Sequence, residues 1–218
     1  MFKFLKDEID SIISRDPAAQ SRLEVLLCYQ GFHAIIFYRI SNFLWHHKLK
    51  LCAKIVATIA RWLTGIEIHP AARLGKRIFI DHGFGLVIGE TAEVGDDVTL
   101  YHDVTLGGTS TIKSDGSLDK GKRHPTLKSG VIIGAGAQIL GPITVGKDAR
   151  VGSNAVVLKD VPENVTVVGI PAKISGSGDH KFAAYATPID CNMPDPITKT
   201  LEKMQKEIEE LKKQIASK

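Results

Sequence analysis

Two histidines sit where the regularity of this chain breaks, and each has neighbours suited to moving a proton. His82 lies in Asp81-His82-Gly83-Phe84, and Glu67 precedes it by fifteen residues. A carboxylate on one ring nitrogen fixes the tautomer of an imidazole and stabilises the imidazolium, leaving the other nitrogen free to take a proton. Such a pair activates a hydroxyl, which is a poor nucleophile until its proton is removed. A histidine taken alone is more often a structural residue, so the argument for His82 rests on its place in the chain. The second histidine belongs to Arg123-His124, beside Lys120 and Lys122. A guanidinium presents a planar fork that matches a carboxylate; the alternative is a solvated basic loop. Asp16, in Arg15-Asp16-Pro17, reads as a helix N-cap with Pro17 in the first turn.

The elements that would hold these side chains change character near residue 66. Over 1–65 apolar residues recur at three- and four-residue spacing, which predicts helices. From there the period becomes six: Ile68, Leu74, Ile80; then Ile88, Val94, Leu100, Leu106; then Ile133, Ile139, Val145, Val151, Val157. A period of six fits short strands joined by tight corners, each strand forming one face of a triangular prism. The expected fold is therefore α+β, with a helical region over 1–65 and a left-handed parallel β-helix over 66–175. A linker over 176–200 and a helix over 201–218 follow. In that helix Leu201, Met204, Ile208, Leu211 and Ile215 trace a short heptad seam, open either to a three-stranded coil or to a solvated helix.

Two irregularities interrupt the repeat. Two extra residues fall between Ile80 and Ile88, at His82, and a polar insertion spans 109–130, where Arg123-His124 lies. Long loops on a regular solenoid usually carry function. A prism packed with aliphatics has no internal pocket, so a site must lie outside it, where a loop or a neighbouring prism excludes water. Flat prism sides favour a homotrimer with a site at each interface.

Composition narrows the classes. Charged residues make up 24% of the chain and the net charge is +4, without the aromatic-and-basic stretches of a nucleic-acid binder. Three dispersed cysteines (Cys28, Cys52, Cys191) argue against a disulfide framework and for a reducing compartment. Acidic residues occupy the place of a signal-peptide core, and the apolar stretch 51–66 is broken by Lys54 and Arg61. A cytoplasmic address and no membrane association are expected. His69, His82, His102 and His124 raise the question of zinc. They lack the close histidine pair of the zinc-binding β-helix carbonic anhydrases, so no metal is expected.

Three blocks carry a resemblance: IEIHPAARLGKRIFIDHGFGLVIGETAEVGDDVTLYHDVTLGGT, then KRHPTLKSGVIIGAGAQILGPITVGKDARVGSNAVV, then GIPAK. The hexapeptide repeat marks the wider acyltransferase superfamily, whereas IDHGFGLVIGET, VTLGGT and RHP resemble the serine O-acetyltransferases specifically, over about 16–173. The resemblance implies transfer of acetyl from acetyl-CoA to the hydroxyl of L-serine in cysteine biosynthesis. It implies His82 as general base, with Glu67 where the family usually has aspartate and His124 completing the catalytic set. Asp16, Asp81 and Arg123 would hold the amino acid. Gly107, Gly108, Thr109, Ala135, Ser153 and Lys173 would hold the cofactor. L-Cysteine, which differs from serine by a thiol for a hydroxyl, is the expected feedback inhibitor. The long members pair trimers into hexamers through a larger helical region, so trimer and dimer of trimers both stay open. Their terminal isoleucine enters O-acetylserine sulfhydrylase; here the chain reads Ala216-Ser217-Lys218, and that complex is not expected. Another hydroxyl acceptor, or a zinc-holding trimer without acyl transfer, are the alternatives.

Overall fold

The computed structural model describes residues 2–109, 121–177 and 196–216. The six-residue period becomes three stacks of two- to five-residue strands. One sheet contains β1 (Glu67–Ile68), β4 (Val87–Ile88), β7 (Thr105–Gly107), β10 (Gln138–Leu140) and β13 (Val156–Val157), in that order. A second runs β2 (Arg73–Leu74), β5 (Glu93–Val94), β8 (Thr126–Leu127) and β11 (Thr144–Val145). The third runs β3 (Phe79–Ile80), β6 (Thr99–Leu100), β9 (Ile132–Ile133), β12 (Arg150–Val151), β14 (Val165–Val168) and β15 (Lys173–Ser177). All pairings are parallel except β14 with β15. The chain is a left-handed parallel β-helix behind N-terminal helices, as the repeat predicts.

Register explains the core. Ile68, Ile88, Leu106, Ile139 and Val157 lie directly above one another, as do Ile80, Leu100, Ile133, Val151 and Val167. All are buried, and together with Leu74, Val94, Leu127 and Val145 they fill the prism. Stacked aliphatics of this kind contribute about 1.5–3 kcal/mol each on burial.

Two boundaries differ from expectation. The insertion ends before β8: Glu93 N–H donates to Pro125 O, and Leu127 stacks on Val94. Leu127 stands six residues before Ile133, but polar neighbours mask the strand. Within the expected 66–175 the coil runs through β14, and β15 folds back antiparallel to close that sheet's edge. The last helix, α5 (Pro196–Ala216), begins before residue 201. Leu201, Met204 and Ile208 are exposed along it, whereas the side chains of Leu211 and Ile215 lie outside the described residues.

Four helices cover the start of the prism: α1 (Phe2–Arg15), α2 (Arg22–Cys28), α3 (Gln30–His46) and α4 (Lys50–Thr64). Helix α3 lies against the first coil at very short range. A Cβ on Gly31 would overlap the carbonyl oxygen of Ile80. Tyr38 donates to Ala72 O at 2.6 Å, and Arg39 donates to Leu74 O at 2.8 Å. The end of α1 is fixed by Arg15, which donates to the carbonyls of Arg77 and Asp97 and lies 5.3 Å over the Phe79 ring. Asp16 does not start a helix. It follows the last residue of α1, because the residue before proline is driven out of the helical region. The N-cap of α2 is Ser21, which accepts from Glu24 N–H.

Candidate active site

Prism corners present side chains along three edges, and the chemically competent residues lie on two of them. The first edge joins the sheet of β3, β6, β9 and β12 to that of β4, β7, β10 and β13. Its corners run Phe84, His102, Ala135 and Ser153. Asp103 N–H bonds Phe84 O (2.8 Å), Gly136 N–H bonds His102 O (3.0 Å) and Asn154 N–H bonds Ala135 O (2.8 Å). The lowest corner carries two extra residues. Ile80 aligns with Leu100, a separation of twenty, where β9 to β12 takes eighteen. His82 stands on that excess with φ of 58°, a left-handed conformation that costs a branched chain more than histidine.

The His82 side chain is 73% exposed. Its Nε2 lies 3.8 Å from Oδ1 of Asp81, and its ring meets that of His102 edge-on, with centroids 5.9 Å apart and planes at 76°. Asp81 is 5% exposed and Asp16 4%. Asp16 is fixed from both sides: Ala18 N–H donates to Oδ1 at 2.8 Å, and the Tyr29 hydroxyl donates to Oδ2 at 2.7 Å. Burial first, then the charges of Asp16 and Asp81, push both the Tyr29 and Tyr101 phenols above their ordinary range. Two buried carboxylates sensed by the same phenols concentrate negative charge beside them, which suits an ammonium group.

The contact expected between His82 and Glu67 is not formed. The Glu67 carboxylate accepts a hydrogen bond from Arg61 at 2.9 Å, and the carboxylate beside His82 is Asp81. Arg61 lies in the last turn of α4, whose left-handed cap at Gly65 turns the chain directly into β1. The guanidinium is thereby brought within reach of Glu67. The His82 corner nevertheless lies against the segment leading to Glu67: Gly85 N–H donates to Gly65 O, and a Cβ on Gly83 would approach Ile66 at 2.6 Å.

The second edge follows β1, β4, β7 and β10, and it gathers the insertion's two ends. Thr91 organises it. Its Oγ1 accepts from the backbone N–H groups of Arg123 and His124, each at 3.1 Å, and lies 2.9 Å from His124 Nδ1. The Thr91 N–H also donates to that Nδ1 at 3.2 Å, so Nδ1 is an acceptor and the ring proton sits on Nε2. Nε2 points toward Gly89 and Gly108, both lacking the Cβ that would displace the ring. His124 is 8% exposed; burial, then the adjacent Arg123 charge, lowers its pKa. Burial likewise lowers that of His69, whose electrostatic neighbours include Glu90 and Arg123. Arg123 Nη2 pairs with Glu90 at 2.6 Å. Among the described residues its remaining N–H groups take no side-chain partner.

The sequence-derived set thus divides. Asp16, Asp81 and His82, with Ala135 and Ser153, lie along the first edge. Arg123 and His124, with Gly107, Gly108 and Thr109, lie along the second. Lys173 begins β15, opposite Val168 at the far end of the prism. Tyr29, Glu90 and Thr91 were not singled out from sequence; the signal was present in the Gly89-Glu90-Thr91 of the specific block. Among the described residues no cluster of three or more His, Cys, Asp or Glu side chains is placed to hold a metal. No helix among them is long and apolar enough to cross a membrane.

Known proteins match along the same lines. The family model for the serine acetyltransferase N-terminal region matches residues 1–36, and that for the bacterial transferase hexapeptide (six repeats) matches 124–159. The serine acetyltransferase of Bacillus pumilus is 47% identical over 216 residues, covering 99% of this chain and 95% of that protein. The crystal structure of the Brucella abortus serine acetyltransferase in complex with coenzyme A has a TM-score of 0.76 and 43% identity, over 82% of this chain and 69% of that one. A serine acetyltransferase complex with cysteine has a TM-score of 0.75 and 42% identity, over 80% and 69%.

Proposed function

The chain belongs to the serine acetyltransferase family, and on that premise we propose that it joins the two edges of adjacent subunits into one site that acetylates L-serine from acetyl-CoA. The observation that carries this reading is the division of the site. Two buried carboxylates beside an exposed imidazole lie at one prism edge, and a guanidinium beside a neutral histidine lies at another. A single amino acid needs both: carboxylates for its ammonium, a guanidinium for its carboxylate. In a homotrimer the first edge of one prism faces the second edge of its neighbour, and the site is complete only there.

The chemistry then follows. His82 takes the proton of the serine hydroxyl as Oγ attacks the thioester carbonyl carbon. The buried Asp81 stabilises the imidazolium across 3.8 Å. The tetrahedral intermediate collapses with cleavage of the C–S bond, and the imidazolium returns the proton to the leaving thiolate. The Nε2–H of His124, beside Gly108, is a neutral donor for an oxygen of the reacting pair. The groove of Gly107, Gly108 and Thr109 on one subunit, with Ala135 and Ser153 on the next, receives the pantetheine arm, and Lys173 the phosphates. Glu67, on the family resemblance, would be a second carboxylate for the base once the site is filled. Its pair with Arg61 is 51% and 47% exposed, and exposed pairs contribute about 0–1 kcal/mol, so exchange of partner costs little.

L-Cysteine fits the same ammonium and carboxylate contacts and acts as inhibitor, as the complex of a relative with cysteine supports. The reaction belongs to the cytoplasm, where acetyl-CoA and reduced thiols are present. His82→Ala, measured as acetyl-CoA-derived thiol release with saturating serine, is expected to lose turnover by about 10²–10⁴-fold with the fold intact. Turnover within threefold of the parent would overturn the assignment.

A further inference from the structure

We propose that His102 is a positioning residue for the base, its ring setting the plane of the His82 imidazole; this rests on the acyl-transfer reading above. The first observation is how little else holds His82. Its side chain is 73% exposed, on a corner enlarged by two residues. Its ring lies 3.8 Å from Asp81 and meets the His102 ring edge-on at 5.9 Å between centroids. An exposed side chain changes rotamer in picoseconds to nanoseconds, whereas a base must stay within hydrogen-bond reach of the proton it removes. Asp81 lies 3.8 Å from one end of the imidazole, beyond hydrogen-bond range. The edge-on ring of His102 restricts its rotation.

The second observation is that the fold does not ask for histidine at this corner. Equivalent corners carry Phe84, Ala135 and Ser153, so bulky, small and polar residues all suit the backbone. His102 moreover carries a cost: its Nδ1 is buried with no hydrogen-bond partner among the described residues. A buried polar atom without a partner is unfavourable and calls for a reason. The ring contact accounts for a flat ring at this corner and leaves Nδ1 unused. His102 is itself well anchored, its carbonyl accepting from Gly136 N–H and the following amide donating to Phe84 O.

The test separates ring from nitrogen. In His102→Ala and His102→Gln, kcat for serine acetylation should fall about tenfold, as expected for a misplaced catalytic group, while KM for serine changes less than about twofold because Asp16, Asp81 and Arg123 are untouched. In His102→Phe the ring returns and kcat should recover to at least about half that of the parent. A second reading needs no turnover: the rate at which diethyl pyrocarbonate modifies His82, mapped by mass spectrometry, should rise about threefold in His102→Ala and return to the parental rate in His102→Phe. Parental kcat and modification rate in His102→Ala, or a His102→Phe variant as slow as His102→Ala, overturn the proposal. A parent without serine-dependent thiol release overturns the acyl-transfer reading instead, and the modification rates still decide the role of His102.

Discussion

Replacing Thr91 with valine removes one oxygen and keeps the branched shape of the side chain. That oxygen accepts from the amides of Arg123 and His124 and lies 2.9 Å from His124 Nδ1. At about 1 kcal/mol for each of the three bonds the loss is of order 3 kcal/mol. Part of it is recovered, because Arg123 stays paired with Glu90 and the Thr91 N–H still reaches Nδ1. A net cost of about 2 kcal/mol corresponds to roughly thirtyfold in rate. On the proposed assignment of Arg123 and His124 to the acceptor, the loss should fall on kcat/KM for serine, measured by thiol release at saturating acetyl-CoA. KM for acetyl-CoA should change little, and Thr91→Ser should restore most of the activity. A valine variant within threefold of the parent, with unchanged circular dichroism, would refute the view that Thr91 positions the insertion's end.

Three further perturbations follow from the geometry. Gly31→Ala places a methyl group against the Ile80 carbonyl, and overpacking of about 1–3 kcal/mol should lower the melting temperature by roughly 2–10 °C and reduce kcat through displacement of Asp81 and His82. Arg61→Ala frees Glu67 from its exposed pair, so kcat should stay level or rise a few-fold; a fall beyond tenfold would mean that Arg61 itself serves the site. Burial lowers the pKa of His69 and His124 below the ordinary 6.5, so below about pH 6.5 the unfolded chain binds more protons than the folded one. Stability should therefore decline as the pH falls from about 7.5 to 5.5, seen as a falling urea midpoint. The decline should weaken in His69→Asn and His124→Asn, whereas an unchanged slope in both variants would contradict the burial argument.

The prism was legible because its physics is one-dimensional: an aliphatic every six residues is a strand every corner, and Ile68, Ile88 and Leu106 stack as their spacing requires. The candidate site's place was suggested for the same reason, since His82 and Arg123-His124 fall where the period fails. What sequence left out depends on neighbours far apart in the chain. Leu127 keeps the period but is hidden among polar residues. Asp16 carries the residue type of a helix cap yet ends up buried, because the Arg15 anchor and Tyr29 draw it to the prism. The Glu67–His82 pair reflects a spacing of fifteen residues that says nothing of Arg61, which the turn at Gly65 delivers to the same carboxylate. Thr91 belongs to a recognisable block, but only the fold shows it tying down the insertion's far end.

The central claim is that this chain moves an acetyl group from a thioester to the oxygen of serine. Incubating the full chain with acetyl-CoA and L-serine, with product identified by NMR and thiol counted in parallel, tests it directly. O-acetyl-L-serine and free coenzyme A are expected in equal amounts, with thiol release abolished when serine is omitted. Thiol release that ignores serine, or that leaves no O-acetylserine, would contradict it.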